Sequence, residues 1–592
     1  MFTFEQIIVY LVIIFIFVSL YWDLIIPGFT FIIGVAVLGV FKILTPSEIL
    51  SGLANEQLIV ILLLLLVGDT FRQTSVLDIL FDKIFRKTNT YSGFIAKMFA
   101  IIAPLSAFLN NTPLVALMMP YSHTWSKRHN TPVSKLLIPV SYAAILGGCI
   151  TLIGTSTNLI VNGLVTEQHI VDDLPSLNMF DFSYVGVPML IIGFLYILLF
   201  GKKLLPEREN VMETFVSHQR EYIVETEIKE GSPLHGKTIS EANLRNLEGL
   251  YLFRVIRDNM FLMAEPNETV LCEKDILLFT GDTGAIEQLL QKNPSICIPS
   301  VGMFAKKDKT EIVEVVVSPN SSIINKTLKE ENFRAKYDAT AIAIHRNGER
   351  LSGKIGAVQL KAGDTILLLT GADFSMLINQ NKDFYTISKP KEIKRLGNFK
   401  TALLVGGTIS VILLAALKLI SLFLGLVVFL SLLIGFGVTT PKKISRGVDF
   451  QLGVIIAMAL ALGMAMTKTG VAENFAQIII RIFEPYGSVG LLVGIYLITS
   501  LLAAFVTNVT AVAIVFPISL TLANDLHLPY LPFILVVSFA AAANFMTPIG
   551  YQTNTMIYGP GGYKFKDYVK IGTPLTLIYM VVTVSILSYV YL

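Results

Sequence analysis

Apolar residues in this chain come in long blocks separated by short polar interruptions, and near the middle the pattern changes character. A bilayer span needs about 20 mostly apolar residues. Blocks at residues 6–20, 24–41, 58–67 with its flanks, and 184–200 predict spans in the first part of the chain. Blocks at 403–416, 423–437, 452–466 and 571–592 predict them in the last part. Between residues 206 and 390 the blocks give way to alternating stretches at 222–228, 251–256 and 276–279, which read as strands of a soluble insert. Residues 1–20 lack a basic leader and a small-residue cleavage site, so they read as the first span rather than a signal peptide.

The two apolar parts repeat one another. The stretch Phe108–Pro120 matches Phe505–Pro517 at its ends and at Asn111 with Asn508, Val115 with Val512 and Ala116 with Ala513. The stretch Thr151–Asn158 matches Thr547–Asn554 at five of eight positions. The offsets are 397 (Asn111 to Asn508) and 396 (Asn158 to Asn554), which chance likeness of apolar segments would not produce for two polar motifs. Each half contains three spans, a pair of short segments around an Asn motif, a span broken at a Gly motif, and a last span. Five crossings per half is odd, so the second half must be inverted.

Basic residues test that orientation, because cytoplasmic loops collect them. An external N-terminus puts Lys127 with Arg128 and Lys135, Lys202 with Lys203, Lys391 with Lys394, Lys442 with Lys443, and Lys564 with Lys566 and Lys570 in the cytoplasm, and Glu167, Asp172 and Asp181 outside. The insert is also a tandem. Leu234–Ile239 resembles Ile323–Leu328, and Asp275–Gly281 resembles Asp364–Gly371, at a spacing of about 89 to 90 residues. The expected partition is therefore 1–205, an N-terminal membrane repeat; 206–305 and 306–390, two small α/β domains; and 391–592, the inverted C-terminal repeat.

Composition agrees with a membrane protein: of 592 residues 53% are hydrophobic and 15% charged, and the mean hydropathy is +0.67. A net charge of +3 gives no footprint for nucleic acid. Three cysteines, Cys149, Cys272 and Cys297, make no disulfide framework.

Chemistry should sit where the spans are interrupted, because irregular backbone at membrane depth survives only beside a cavity or inside protein. The segments 93–109 and 114–121 predict a re-entrant hairpin with Asn110-Asn111-Thr112-Pro113 at its tip, and Thr507-Asn508-Val509-Thr510 is the equivalent tip. Gly154-Thr155-Ser156-Thr157-Asn158 and Gly550-Tyr551-Gln552-Thr553-Asn554 become the unwound centres of two broken spans. Free carbonyls and hydroxyls there suit a hard cation such as sodium, and half-helix N-termini suit an anion. The competing reading is that these polar residues only hold helices together. No Asp, Glu, Lys or Arg occurs in 136–165, 487–524 or 528–562, so a proton-coupled antiporter would lack its core carboxylate there; Asp69, at a span's end, is read as facing a polar interface. No His/Cys/carboxylate cluster with metal or nucleophile spacing suggests an enzyme, and no Thr-Val-Gly-Tyr-Gly filter suggests a potassium channel.

With these motifs assembled, the chain resembles the divalent anion/sodium symporter (DASS) family. Phe108-Leu-Asn-Asn-Thr-Pro113 and the stretch Thr547–Tyr563 look most like its sulfate-permease-like branch. The resemblance implies an α-helical polytopic protein with two inverted repeats, re-entrant hairpins and broken helices, working as an elevator-type homodimer among membrane lipids. It implies sodium sites built from Ser106, Asn110, Asn111, Gly154, Thr507, Asn508, Thr547 and Gly550. For a small divalent anion it implies Asn111, Thr112, Thr155, Ser156, Thr157, Asn158, Asn508, Thr510, Tyr551, Gln552, Thr553 and Asn554. Asn110 and Thr507 replace the leading Ser of the family signatures, and Val509 replaces a Thr whose hydroxyl Thr510 is placed to supply. The insert resembles tandem TrkA C-terminal (RCK-C) domains, implying cytoplasmic modules that take a nucleotide or other small regulatory ligand. The implied function is sodium-coupled import of sulfate, or else a C4-dicarboxylate, across the cell inner membrane. A sodium/proton antiporter and a ligand sensor that transports nothing are the alternatives.

Overall fold

The computed structural model describes the chain from residue 3 onward except residues 23, 73, 75, 86–87, 169, 173, 209–222, 245–246, 248–249, 258–259, 264–267, 282–288, 290–292, 294, 298–311, 320, 347–348, 352–354, 372, 375–376, 379–382, 388–395 and 448–449. Lys391, Lys394 and the expected boundaries at 305/306 and 390/391 lie outside the described residues.

Among the described residues, ten α-helices before the insert have ten counterparts after it. The first set is α1 (Phe4–Tyr21), α2 (Pro27–Val40), α3 (Pro46–Ser51), α4 (Glu56–Arg72), α5 (Val76–Phe85), α6 (Tyr91–Ser106), α7 (Asn111–His129), α8 (Leu137–Gly148), α9 (Ser156–Glu167) and α10 (Ser183–Leu204). The second is α11 (Asn398–Ala416), α12 (Leu422–Gly435), α13 (Pro441–Gly447), α14 (Phe450–Lys468), α15 (Val471–Phe483), α16 (Gly487–Phe505), α17 (Asn508–Asp525), α18 (Tyr530–Ala542), α19 (Gln552–Tyr558) and α20 (Phe565–Tyr591). Among the described residues, eight helical segments are long and apolar enough to cross a membrane. Packing follows the duplication: α2 lies against α14 as α12 lies against α4, α6 against α8 as α16 against α18, and α10 pairs with α20.

Local chemistry sets the helix starts. Thr3 and Thr45 open α1 and α3 with capping boxes closed by Gln6 and Glu48. At the two tips Asn110 accepts from the Thr112 amide and Thr507 from the Thr510 amide, so the same side chains that mark the motifs also start α7 and α17. The core is graded. Helices α8, α17 and α18 are almost wholly buried, whereas α1, α2, α11 and α12 expose large apolar side chains such as Leu11, Phe29, Leu413 and Val428. Outward apolar surface of this kind is what lipid covers.

The insert forms two five-stranded antiparallel sheets with one topology. Strands β1 (Ile223–Ile228), β2 (Leu250–Arg257), β3 (Met260–Met263), β4 (Ile276–Gly281) and β5 (Ile296–Cys297) lie in the order β3-β2-β4-β1-β5. Strands β6 (Ile312–Val317), β7 (Ala339–Arg346), β8 (Glu349–Arg350), β9 (Thr365–Thr370) and β10 (Phe384–Thr386) lie in the order β8-β7-β9-β6-β10. Even the irregularities repeat: a register shift at Leu252/Arg254 recurs at Ala341/Ala343. The bidentate pair Arg257–Asp275 recurs as Arg346–Asp364, with N–O distances of 2.7–2.8 Å in both. Each sheet has its own apolar core, one around Val255, Leu277 and Phe279 and the other around Ile344, Leu368 and Phe384.

Candidate functional site

Both tips and both breaks converge on one cavity of about 300 Å³, bounded on one side by α2, α4 and α14. The first tip contributes Asn110, Thr112 and Pro113, and the first break Thr155, Ser156 and Thr157. The second tip contributes Val506–Val509 and the second break Ile549–Gln552. The halves are tied together across it. Tyr551 Oη accepts from Asn111 Nδ2 at 2.6 Å and lies 3.1 Å from Thr155 Oγ1, and the Thr112 hydroxyl donates to Gln552 Oε1 at 3.2 Å. Thr155 does not cap α9 with its side chain, which leaves the first-turn amides of that helix without a side-chain acceptor beside the cavity.

Behind the cavity, the breaks are pinned by a reciprocal pair of bonds. Ser141 of α8 donates to Asn554 Oδ1 at 2.7 Å, and Ser538 of α18 donates to Asn158 Oδ1 at 2.8 Å, each crossing from one repeat to the other. The amide nitrogens of the same two asparagines reach back to their own breaks: Asn158 to Thr151 O at 2.8 Å, Asn554 to Asn544 O at 3.0 Å and Thr547 O at 3.2 Å. An asparagine fits here because one amide can donate to a freed carbonyl and accept from a serine at once.

Five residues expected to touch the anion do not line the cavity. Asn158 and Asn554 are wholly buried staples, and Thr553 is bonded to Ser141 at 2.8 Å. The Thr510 hydroxyl lies 2.8 Å from Thr507 Oγ1 and faces away from the cavity lining. Asn111 lies one layer behind the cavity, screened by Tyr551.

The first half also gathers oxygens. A Cβ built on Gly148 would lie 2.9 Å from Asn111 Oδ1 and 3.0 Å from Gly154 O, and one on Gly154 would lie 2.5 Å from Gly148 O and 2.9 Å from Ser106 O. Only glycines admit this approach, and the carbonyls with Asn111 Oδ1 form a set of hard donors that fits a sodium ion. The Ser106 hydroxyl sits between Asn111 Oδ1 and Ala144 O, holding the amide in place. The second half differs at two positions, one of them Ala503 in place of Ser106. Where the first has Gly148 the second has Asn544, whose Nδ2 donates to Ala503 O at 2.7 Å and occupies the space beside Gly550. Thr547 donates to Ala504 O at 2.9 Å and accepts from the Gly550 amide at 3.2 Å, while the buried Asn508 Oδ1 has no hydrogen-bond partner among the described residues.

Two contributions were not anticipated from the sequence. The polar interface expected for Asp69 is the cavity itself, which it lines with the tips, together with Gln451 and Leu452 of α14. Ser318, Pro319 and Tyr385 of the second sheet line it as well.

Comparison with known proteins agrees with this architecture. The sequence matches the citrate transporter family (CitMHS) over residues 10–428 and 411–592. It is 32% identical to a Chlamydomonas reinhardtii protein named as a sulfur deprivation response regulator, over 92% of this chain and 94% of the relative. An uncharacterised transporter of Synechocystis sp. is 31% identical over 95% and 93% of the two chains. Sodium/sulfate cotransporter 2 of Chlamydomonas reinhardtii is 23% identical over 95% and 87%. With two repeated halves closing on one polar cavity, this chain belongs to the citrate transporter family and is a polytopic membrane transporter.

Proposed function

We propose that the chain is a sodium-coupled importer of a divalent anion, sulfate ahead of a C4-dicarboxylate, in the DASS manner. The observation that carries this reading is the cavity: about 300 Å³, lined among the described residues by hydroxyls and amides from all four interrupted segments, by Asp69, and by no Lys or Arg. That volume is at the lower end for small-molecule sites. It suits a compact tetrahedral oxyanion whose charge is spread over four oxygens, met by neutral donors and sodium rather than by an arginine clamp. The names of the sodium/sulfate cotransporter relatives support the same substrate pair. Sodium is assigned to the Ser106, Asn111, Gly148 and Gly154 oxygens in the first half, and to Thr507, Asn508, Thr547 and Gly550 in the second.

The moving part in this reading comprises α6–α9 and α16–α19, and the fixed part the early spans of each half, in a homodimer in the cell inner membrane. Residues 206–305 and 306–390 are RCK-C modules on the cytoplasmic side, where Lys202, Lys203, Lys564 and Lys566 direct them. They regulate transport through a nucleotide or other small ligand. Radiolabelled sulfate, succinate and citrate offered to proteoliposomes, with and without a sodium gradient, test this. Sodium-driven sulfate uptake exceeding the other two is expected, and sodium-independent uptake refutes the coupling.

A second reading, sodium/proton antiport, draws on Asp69 in the cavity wall, since an intramembrane carboxylate is the usual proton carrier. A pH dye in the same vesicles separates them. Antiport alkalinises or acidifies the lumen on a sodium pulse without any anion.

A further inference from the structure

We propose that the second β-module is a plug: its β6–α turn and β10 close the cytoplasmic mouth of the anion cavity, and transport requires it to lift away. This rests on the proposed function for the identity of the cargo and for which end is cytoplasmic. The contact itself is independent of both.

Ser318 and Pro319, directly after β6, and Tyr385 of β10 share the cavity wall with Thr112, Thr155 and Gln552. Around them the module meets the membrane core at close range. Glu314 of β6 is buried, with its carboxylate 4.0 Å from His123 Nε2 on α7. The turn before β9 presses on α19: a Cβ on Gly363 would lie 2.6 Å from Thr555 O, and one on Gly559 2.4 Å from Gly363 O. At the rim Lys564 binds Glu349 at 2.8 Å and holds its carboxyl below the ordinary glutamate range, an exposed pair that orients more than it stabilises.

The first β-module supplies the control, because it is the same fold with the corresponding turn exposed to solvent. Its residue at the position of Gly363 is Lys274, which adopts the same left-handed backbone, φ +64° against +83°. The glycine is therefore not demanded by the turn, since a lysine makes that turn 89 residues earlier. It is demanded by the approach to α19. Opposite Lys274 stands Glu230, at the position of Pro319, and the two form a solvent-exposed ion pair at 2.6 Å. One copy thus presents a charged, wet turn, and the other presents Gly363 and Pro319 to the mouth of the site. Duplication followed by loss of charge at just this turn is what a docking face requires, because a buried Lys–Glu pair would have to be desolvated.

The test restores the first module's chemistry to the second with Pro319→Glu and Gly363→Lys together, a pair of residues that the fold tolerates in the first copy. The full chain also carries Thr112→Cys as a reporter in the cavity, with Cys272 and Cys297 replaced by serine. Labelling of Thr112→Cys by a charged thiol reagent in detergent reads access to the cavity without any transport. If the plug is docked for about nine-tenths of the time, releasing it raises labelling about tenfold, and sulfate uptake by the double variant without the reporter rises about as much. Equal labelling rates in docked and charge-restored proteins overturn the plug.

A locked form gives the converse and serves if the double variant does not fold. Glu349→Cys and Lys564→Cys, bridged by a short bifunctional thiol reagent, pin the module down. Uptake should fall on bridging and return when the bridge is cleaved, and a bridged protein that transports at the unbridged rate refutes the plug. If no form takes up sulfate, succinate or citrate, the transport reading fails, and the labelling comparison still decides whether the module closes the cavity.

Discussion

Tyr551→Phe is the sharpest probe of the site, because it deletes one atom that joins the two repeats. The hydroxyl accepts from Asn111 Nδ2 at 2.6 Å and lies 3.1 Å from Thr155 Oγ1, on a side chain that lines the cavity. Two costs follow. In the empty protein Asn111, 2% exposed, keeps a buried donor with no acceptor, worth about 1–3 kcal/mol of local stability. In the loaded protein an anion beside Tyr551 loses a charge-assisted bond, about 1.5–3 kcal/mol, which is roughly 10- to 150-fold in affinity. The sodium cradle should change less, since Ser106 still fixes Asn111 Oδ1 from the other side. Uptake by proteoliposomes should therefore show the sulfate KM rising at least about tenfold while the sodium concentration for half-maximal uptake moves by under about threefold. A sulfate KM unchanged within about twofold would remove Tyr551 from the anion site. A large shift confined to sodium would instead make the tyrosine a support for the cation.

Asn111→Ala and Asn508→Ala should each abolish sodium-driven uptake while the purified protein keeps its size-exclusion profile; normal uptake by both would take the tips out of the site. Asp69→Asn should preserve sodium-driven sulfate uptake, because a symporter needs no proton carrier, whereas loss of a sodium-induced lumenal pH change in this variant would establish antiport. Gln552→Ala, which frees Thr112 and opens the cavity wall, should weaken sulfate uptake and improve succinate relative to it, measured by competition at equal concentration. Ser141→Ala and Ser538→Ala should each lower thermal stability in detergent by about 1–3 kcal/mol, since each strands an asparagine carbonyl oxygen in the core, and a neutral pair would refute the stapling role.

The repeats, the tips and the breaks were legible in the sequence because a duplication preserves offsets, and polar motifs stand out against apolar spans. What the motifs could not reveal was which side of each break is wet. Thr155 to Thr157 and Asn158 are adjacent in sequence, but the chain enters α9 there, and the first turn carries Asn158 round to face Ser538 rather than the cavity. Asp69 was discounted for standing at a span's end. Its role depends on α4 packing against α7 and α9, a long-range fact with no local signal. Ser318 and Tyr385 carry no residue-level sign of a membrane partner, since their alternation is that of any strand.

Differences between duplicated copies say more here than their likenesses. Where the halves agree, as in the crossed Ser–Asn staples, the common residues hold the architecture, and a symmetric framework needs the same bond twice. Two of their differences fall on the cavity or its rim. Gly148 leaves room among four oxygens, and Asn544 fills the matching room with an amide nitrogen bonded to Ala503 O. In the proposed sodium reading, a cation entering the second cradle has to displace that amide nitrogen or turn Asn544 to offer Oδ1, and the first cradle asks for no such step. Lys274 against Gly363 is the same logic in the insert, one turn solvated and the other seated on α19. In both duplications the fold tolerates either residue, so the difference answers to what lies across the contact: α19 in the insert and, in the proposed reading, a cation in the membrane halves.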